Sequence, residues 1–67
     1  MIKISYDKEG DILEIRFSEK DISNSEYIEE TGIVIDYDKN NNVVALEIIS
    51  FSKRVSKEEV AETVALQ

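Results

Sequence analysis

Residues 32–51 read Gly32-Ile33-Val34-Ile35-Asp36-Tyr37-Asp38-Lys39-Asn40-Asn41-Asn42-Val43-Val44-Ala45-Leu46-Glu47-Ile48-Ile49-Ser50-Phe51. Two β-rich apolar runs, 33–37 and 43–51, flank a turn made of Asp, Lys and Asn. Apolar runs separated by turn-forming residues are the pattern of a β-hairpin. This stretch is the most hydrophobic part of the chain, so the core is expected to form on it.

Upstream of the hairpin, Ile2, Ile4 and Tyr6 alternate with Lys3 and Ser5, a strand over 2–6. Gly10, in the turn Asp7-Lys8-Glu9-Gly10-Asp11, is free to take a positive φ. Leu13, Ile15 and Phe17 then alternate with Glu14 and Arg16 in a second strand over 12–17, paired antiparallel with the first because the connection is too short for a crossover. A short third strand is expected over 26–30, and Glu26, Glu29 and Glu30 suit a protected edge.

Downstream, Ser56 with Glu59 makes a capping box, and Val55 with Val60 has the spacing of a hydrophobic staple. Glu58 and Glu59 favour the positive end of the helix dipole. A helix over 57–66 follows. Alone in water a helix of this length is marginal, so it must dock. The fold class is α+β: one small domain, an antiparallel β-meander of four to five strands with one short C-terminal helix.

The whole chain has 67 residues. At that size folding buries only about 60% of the surface the unfolded chain exposes. Fifteen acidic and eight basic residues give a formal charge of −7, with no His and no Cys. That field disfavours nucleic acid and anionic membranes as partners, and it steers basic proteins toward the chain. No apolar run approaches the roughly 20 residues that span a bilayer. The alternating N-terminus does not read as a signal peptide, and lack of Cys fits a reducing compartment, so a cytoplasmic location is expected.

In the last strand Val44, Leu46 and Ile48 point one way, and Val43, Ala45, Ile49 and Phe51 the other. A strand apolar on both sides is covered on both sides. One short helix covers one face. Val43, Ala45, Ile49 and Phe51 are therefore the expected interface, toward a second copy or a small basic protein. Tyr6, Phe17, Tyr27, Tyr37 and Phe51 all lie in or beside strands and are expected in the core.

One candidate metal motif stands out. Counted from Asp36, oxygen-bearing side chains recur at Asp36, Asp38, Asn40 and Asn42, and Glu47 stands at the last position of a calcium-loop spacing. Asn41 occupies the usual Gly position and tolerates the left-handed conformation. The competing reading is an ordinary hairpin turn, for which Asp and Asn are the required residues, and the β-patterned flanks favour it. Asp7-x-Glu9-x-Asp11 is a weaker version, with Ser18 where the final acid would be. Glu47 itself is either solvated or paired with Arg16 or Arg54. No activated nucleophile, His base or phosphate loop is present, so neither catalysis nor a cofactor is expected.

The segments Tyr6-Asp7-x-Glu9-x-Asp11-x-Leu13-x-Ile15-x-Phe17, Gly32-Ile33-Val34-x-Asp36-Tyr37-Asp38 and Val44-Ala45-Leu46-Glu47-Ile48-Ile49-Ser50-Phe51-Ser52 together resemble the small prokaryotic family known as domain of unknown function 2283. Lys8, Glu14, Asn42 and Ala45 depart from its usual residues at turns and surface, leaving the strand pattern intact. The resemblance implies no catalytic residues. Some members look like neighbours of small toxin-like proteins, which implies an antitoxin-like binding role.

Overall fold

Alternating strands and short polar turns give a sheet in which every neighbour is antiparallel. The computed structural model describes residues 2–65. Its elements are β1 (Lys3–Asp7), β2 (Ile12–Arg16), β3 (Asn24–Ile28), β4 (Ile33–Tyr37) and β5 (Val43–Ile49), then a 3-10 turn, Phe51–Lys53, and α1 (Lys57–Ala65). The α+β class and the C-terminal helix are as the sequence indicates. The last residue expected in the helix, Leu66, lies outside the described residues.

The strand order is β1-β2-β5-β4-β3. The meander is therefore interrupted once, because β2 takes β5 rather than β3 as its second neighbour. The most apolar strand gains a partner on each side, and the polar β3 becomes an edge. The connection after β2 runs to the far edge past the β4–β5 turn. Phe17 N–H donates to Val44 O at 2.8 Å, and Ser23 N–H donates to Tyr37 O at 2.8 Å.

Three local differences follow from backbone conformation. The third strand ends at Ile28 rather than residue 30, because Thr31 and Gly32 N–H both donate to Ile28 O and close the turn. Gly32 there has φ +68°. The positive φ expected at Gly10 falls on Asp11 instead, at 55°. A Cβ at Gly10 would come within 2.8 Å of Asp7 Oδ2, the tip of an exposed side chain that can move aside. The strand expected over 43–51 stops at Ile49, because Ser50 is left-handed at φ 54° and swings Phe51 out of the sheet.

The register sorts side chains into rows, since paired residues share a face and alternate ones do not. On one face Ile4–Ile15–Leu46–Ile35–Glu26 forms a first row, and Tyr6–Leu13–Ile48–Ile33–Ile28 a second. The opposite face carries Ser5–Glu14–Glu47–Val34–Tyr27 and Lys3–Arg16–Ala45–Asp36–Ser25. A bulge interrupts β4–β5, where Asp36 pairs with Ala45 but Tyr37 with Val43. Val44 is the extra residue, and it is fully buried. Val43 thus stands opposite Tyr37, on the side of the apolar rows rather than with Ala45.

The buried apolar set among the described residues is small: Leu13, Val44, Ala45 and Phe51. Phe51 reaches back to β1, its ring 5.8 Å from that of Tyr6. Asp11 secures this return, accepting hydrogen bonds from Tyr6 Oη at 2.6 Å, Ser52 N–H at 2.9 Å and Ser52 Oγ at 2.7 Å. Asp11, the last acid of the Asp7-x-Glu9-x-Asp11 run, thus serves as a structural clamp. Helix α1 starts as expected, with Glu59 N–H donating to Ser56 Oγ at 3.2 Å. It meets the sheet beside β1, across a cleft lined by Tyr6, Lys57, Val60, Ala61 and Val64, and none of its described residues is buried. The radius of gyration is 12.3 Å, against roughly 10.9 Å for a compact chain of this length. The molecule is a slab.

Candidate functional site

The polar face owes its chemistry to the β2–β5 pairing, which sets Glu14 directly opposite Glu47. Asp36 pairs with Ala45, two residues before Glu47 on the same strand, so its carboxyl lies diagonally from Glu47. A cross-strand diagonal is within reach of side chains of this length. One carboxylate oxygen from each of Glu14, Asp36 and Glu47 lies within 4.8 Å of the others.

Asp36 is the buried member, at 1% exposure. Its Oδ1 accepts the Ser25 hydroxyl at 2.6 Å. Its Oδ2 is buried and has no hydrogen-bond donor among the described residues when the carboxyls are ionised. Leaving a buried acceptor unpaired costs about 1–3 kcal/mol, more for a charged group. Arg16 supplies the local positive charge but spends it on Glu14, with Nε and Nη2 each 3.4 Å from a carboxylate oxygen.

Glu47 answers to this crowding. Hydrogen bonding to Asp36 when Glu47 holds a proton, then its burial, then the charges of Asp36 and Glu14, push its carboxyl up to about 7, against the opposing pull of Arg16. Like charges confined together hold a proton this way. Of the two cations expected to pair with Glu47, Arg16 stands nearby. Arg54 is engaged elsewhere, donating through Nε to Ile49 O at 2.9 Å and through Nη2 to Thr31 O.

The calcium-loop set of Asp36, Asp38, Asn40 and Glu47 is not brought together. Asp36 and Glu47 meet from adjacent strands, but Asp38 turns into its own loop. Its Oδ1 accepts Asn40 N–H at 2.8 Å and Asn42 N–H at 3.0 Å, and its Oδ2 accepts Asn42 Nδ2 at 3.3 Å. The Asn42 and Asn40 backbone bonds hold the Asp38 carboxyl below the usual range against the opposing effect of burial. Asn41 takes the left-handed conformation, φ 65°. The turn reading accounts for Asp38 and Asn40.

Of the residues expected at an interface, Ala45 and Phe51 are buried within the chain, Ile49 is half-buried and Val43 is exposed. Core placement holds for Phe51 but not for Phe17 or Tyr27, which are 40% and 59% exposed. Glu14 is the cluster residue that the sequence did not single out. Alternation in β2 puts it on the face opposite Leu13 and Ile15, but only the β2–β5 register brings it to Glu47.

No curated protein and no solved structure matches the chain. Residues 3–52, which hold all five strands and the cluster, match the family model described as "Protein of unknown function (DUF2283)", and the chain therefore belongs to the DUF2283 family.

Proposed function

We propose that this protein is a non-catalytic protein–protein interaction module that self-associates through the apolar face of its sheet. The observation that carries this reading is the state of the first apolar row: none of Ile4, Ile15, Leu46 and Ile35 is buried. A row of large aliphatic side chains across the middle of a sheet demands a second layer, and stacked sheets pack about 10 Å apart. The helix supplies that layer only beside β1.

Charge favours a second copy as the occupant. Across both apolar rows the one charged residue is Glu26, at the β3 edge. Two molecules stacked on these rows keep most of their acidic side chains on the outer faces and in the turns, so a net charge of −7 each opposes the contact weakly. The test is the native mass at micromolar concentration and physiological ionic strength. A dimer or higher oligomer is expected, and a monomer overturns the reading.

A second reading rests on the charge itself. The net −7 suits a small basic protein held on the polar face, the antitoxin-like role implied by the family resemblance. Capture from the native host with mass spectrometry would return such a partner in stoichiometric amount.

A further inference from the structure

We propose that Glu14, Asp36 and Glu47 form a binding site for a hard divalent cation, with calcium the best fit. The site is independent of the self-association face and lies on the opposite side of the sheet. Three carboxylates on three adjacent strands converge there, and all three are oxygen donors of the kind that hard cations prefer.

An acidic cluster alone would carry nothing, because exposed acids meet by chance on so acidic a chain. What distinguishes this one is Asp36. It is 1% exposed, and with the carboxyls ionised its Oδ2 is buried with no donor supplied by the described residues. The donors beside it are committed: the Ser25 hydroxyl to Oδ1 and Arg16 to Glu14. With Glu47 ionised, the missing positive partner comes from solution, and a cation there competes with the proton that Glu47 and Asp36 otherwise share.

Coordination chemistry selects among candidate ions. Calcium takes several carboxylate ligands in flexible geometry, whereas magnesium demands a near-ideal octahedron and keeps most of its waters. Three carboxylate oxygens within 4.8 Å of one another, offered by side chains on three strands, suit the flexible ion. Glu14 and Glu47 are half-buried, so water can complete the coordination from the open side. With Arg16 already at the cluster, a divalent ion brings the local charge to neutrality.

The experiment is calorimetric titration of the full chain, stripped with EDTA, with calcium chloride, alongside thermal melts. One calcium per chain is expected, with a melting temperature that rises with calcium and falls back on EDTA addition. Glu47→Gln and Glu14→Gln should each weaken binding by roughly tenfold or more, since ligand charge sets affinity in such sites. Asn40→Ala should leave it unchanged, which separates this site from the turn. Absence of heat at millimolar calcium overturns the proposal, as does an equal melting shift in wild type and Glu47→Gln, the mark of general screening. Loss of binding in Asn40→Ala overturns it in favour of the turn. Both glutamates are half-buried, so their amide variants retain the fold, and circular dichroism checks that they do.

Discussion

Ser52 donates twice to Asp11, 41 residues earlier, through its backbone N–H at 2.9 Å and its hydroxyl at 2.7 Å. This pair ties the chain leaving β5 to the β1–β2 turn and holds Phe51 against Tyr6. The same Asp11 carboxylate takes the Tyr6 hydroxyl, so it is the shared acceptor of the junction. Asp11→Ala should therefore lower the urea midpoint more than Ser52→Ala or Tyr6→Phe, each of which removes one partner. Because the groups share one acceptor, Asp11→Ala with Ser52→Ala should cost less than the separate losses combined, a coupling that a double-mutant cycle reads directly. Additive losses would show that the junction is not a unit.

Gly32 lies where two demands meet. Its φ of +68° is a conformation that costs an L-residue about 1–2 kcal/mol, and a Cβ there would run into Arg54 Nη2. Gly32→Ala should destabilise by at least about 1 kcal/mol, measured by urea denaturation. Shortening Arg54 removes the collision but not the backbone strain. Gly32→Ala should thus be milder, yet still destabilising, in an Arg54→Ala background. A neutral Gly32→Ala would refute both arguments.

The metal-free chain should be most stable in mildly acid solution. Asp11 and Asp38 have folded-state carboxyls below the ordinary 3.8, Asp11 through the Tyr6 and Ser52 hydrogen bonds and Asp38 through its turn amides. The unfolded chain takes up their protons first, so their contribution is present above 3.8 and lost as pH falls through the lower folded values. Glu47 runs the other way. Its carboxyl is raised from 4.5 to about 7 by Asp36 first, then burial and Glu14. Between those values the folded state holds the extra proton, so stability falls as pH rises and levels off above. Melts across pH in EDTA should show a maximum near pH 4–4.5. Glu47→Gln should flatten the decline toward neutrality and raise the melting temperature at pH 8.

Arg16 opposes the upward shift of Glu47 while bonding to Glu14. Arg16→Gln should move the Glu47 titration to higher pH, visible in carbonyl-labelled NMR, and lower the melting temperature in EDTA at neutral pH. Calcium should then bind more tightly, because a competing positive charge has gone from the cluster. Weaker calcium binding would mean that Arg16 positions Glu14 rather than competing for it.

What was legible in the sequence was local. The β4–β5 hairpin, the Asn41 left-handed turn and the Ser56 cap all follow from residues a few positions apart. The β2–β5 pairing joins residues from Arg16 with Ala45 to Ile12 with Ile49, far apart in the chain, and no alternation pattern announces it. Glu14 therefore stayed hidden beside Glu47. The faces of β5 were misassigned for a related reason: one bulge residue, Val44, moves Val43 to the other side, and the left-handed Ser50 removes Phe51 from the strand. A period of two carries through a strand only until the backbone breaks it. The expected second covered face is thus a polar face with a carboxylate cluster, and the uncovered apolar surface lies on the other side.

That exchange of faces decides where an interface variant belongs. Ile35 sits in the first apolar row, half-buried, between Leu46 and Glu26. In Ile35→Lys the new ammonium faces Glu26 across the β3–β4 pair, and opposite charges in that position support the sheet. The monomer should keep its fold, read by circular dichroism. Between stacked sheets, however, the same ammonium meets aliphatic side chains from the second copy, and an uncompensated buried charge costs several kcal/mol. The native mass should fall to that of the monomer. Ala45 and Phe51, expected at first to form the contact, are buried within the chain, so conservative changes there should alter stability with little direct effect on association. Persistence of the oligomer in folded Ile35→Lys would exclude the first row as its interface and return the question to the edges of β1 and β3.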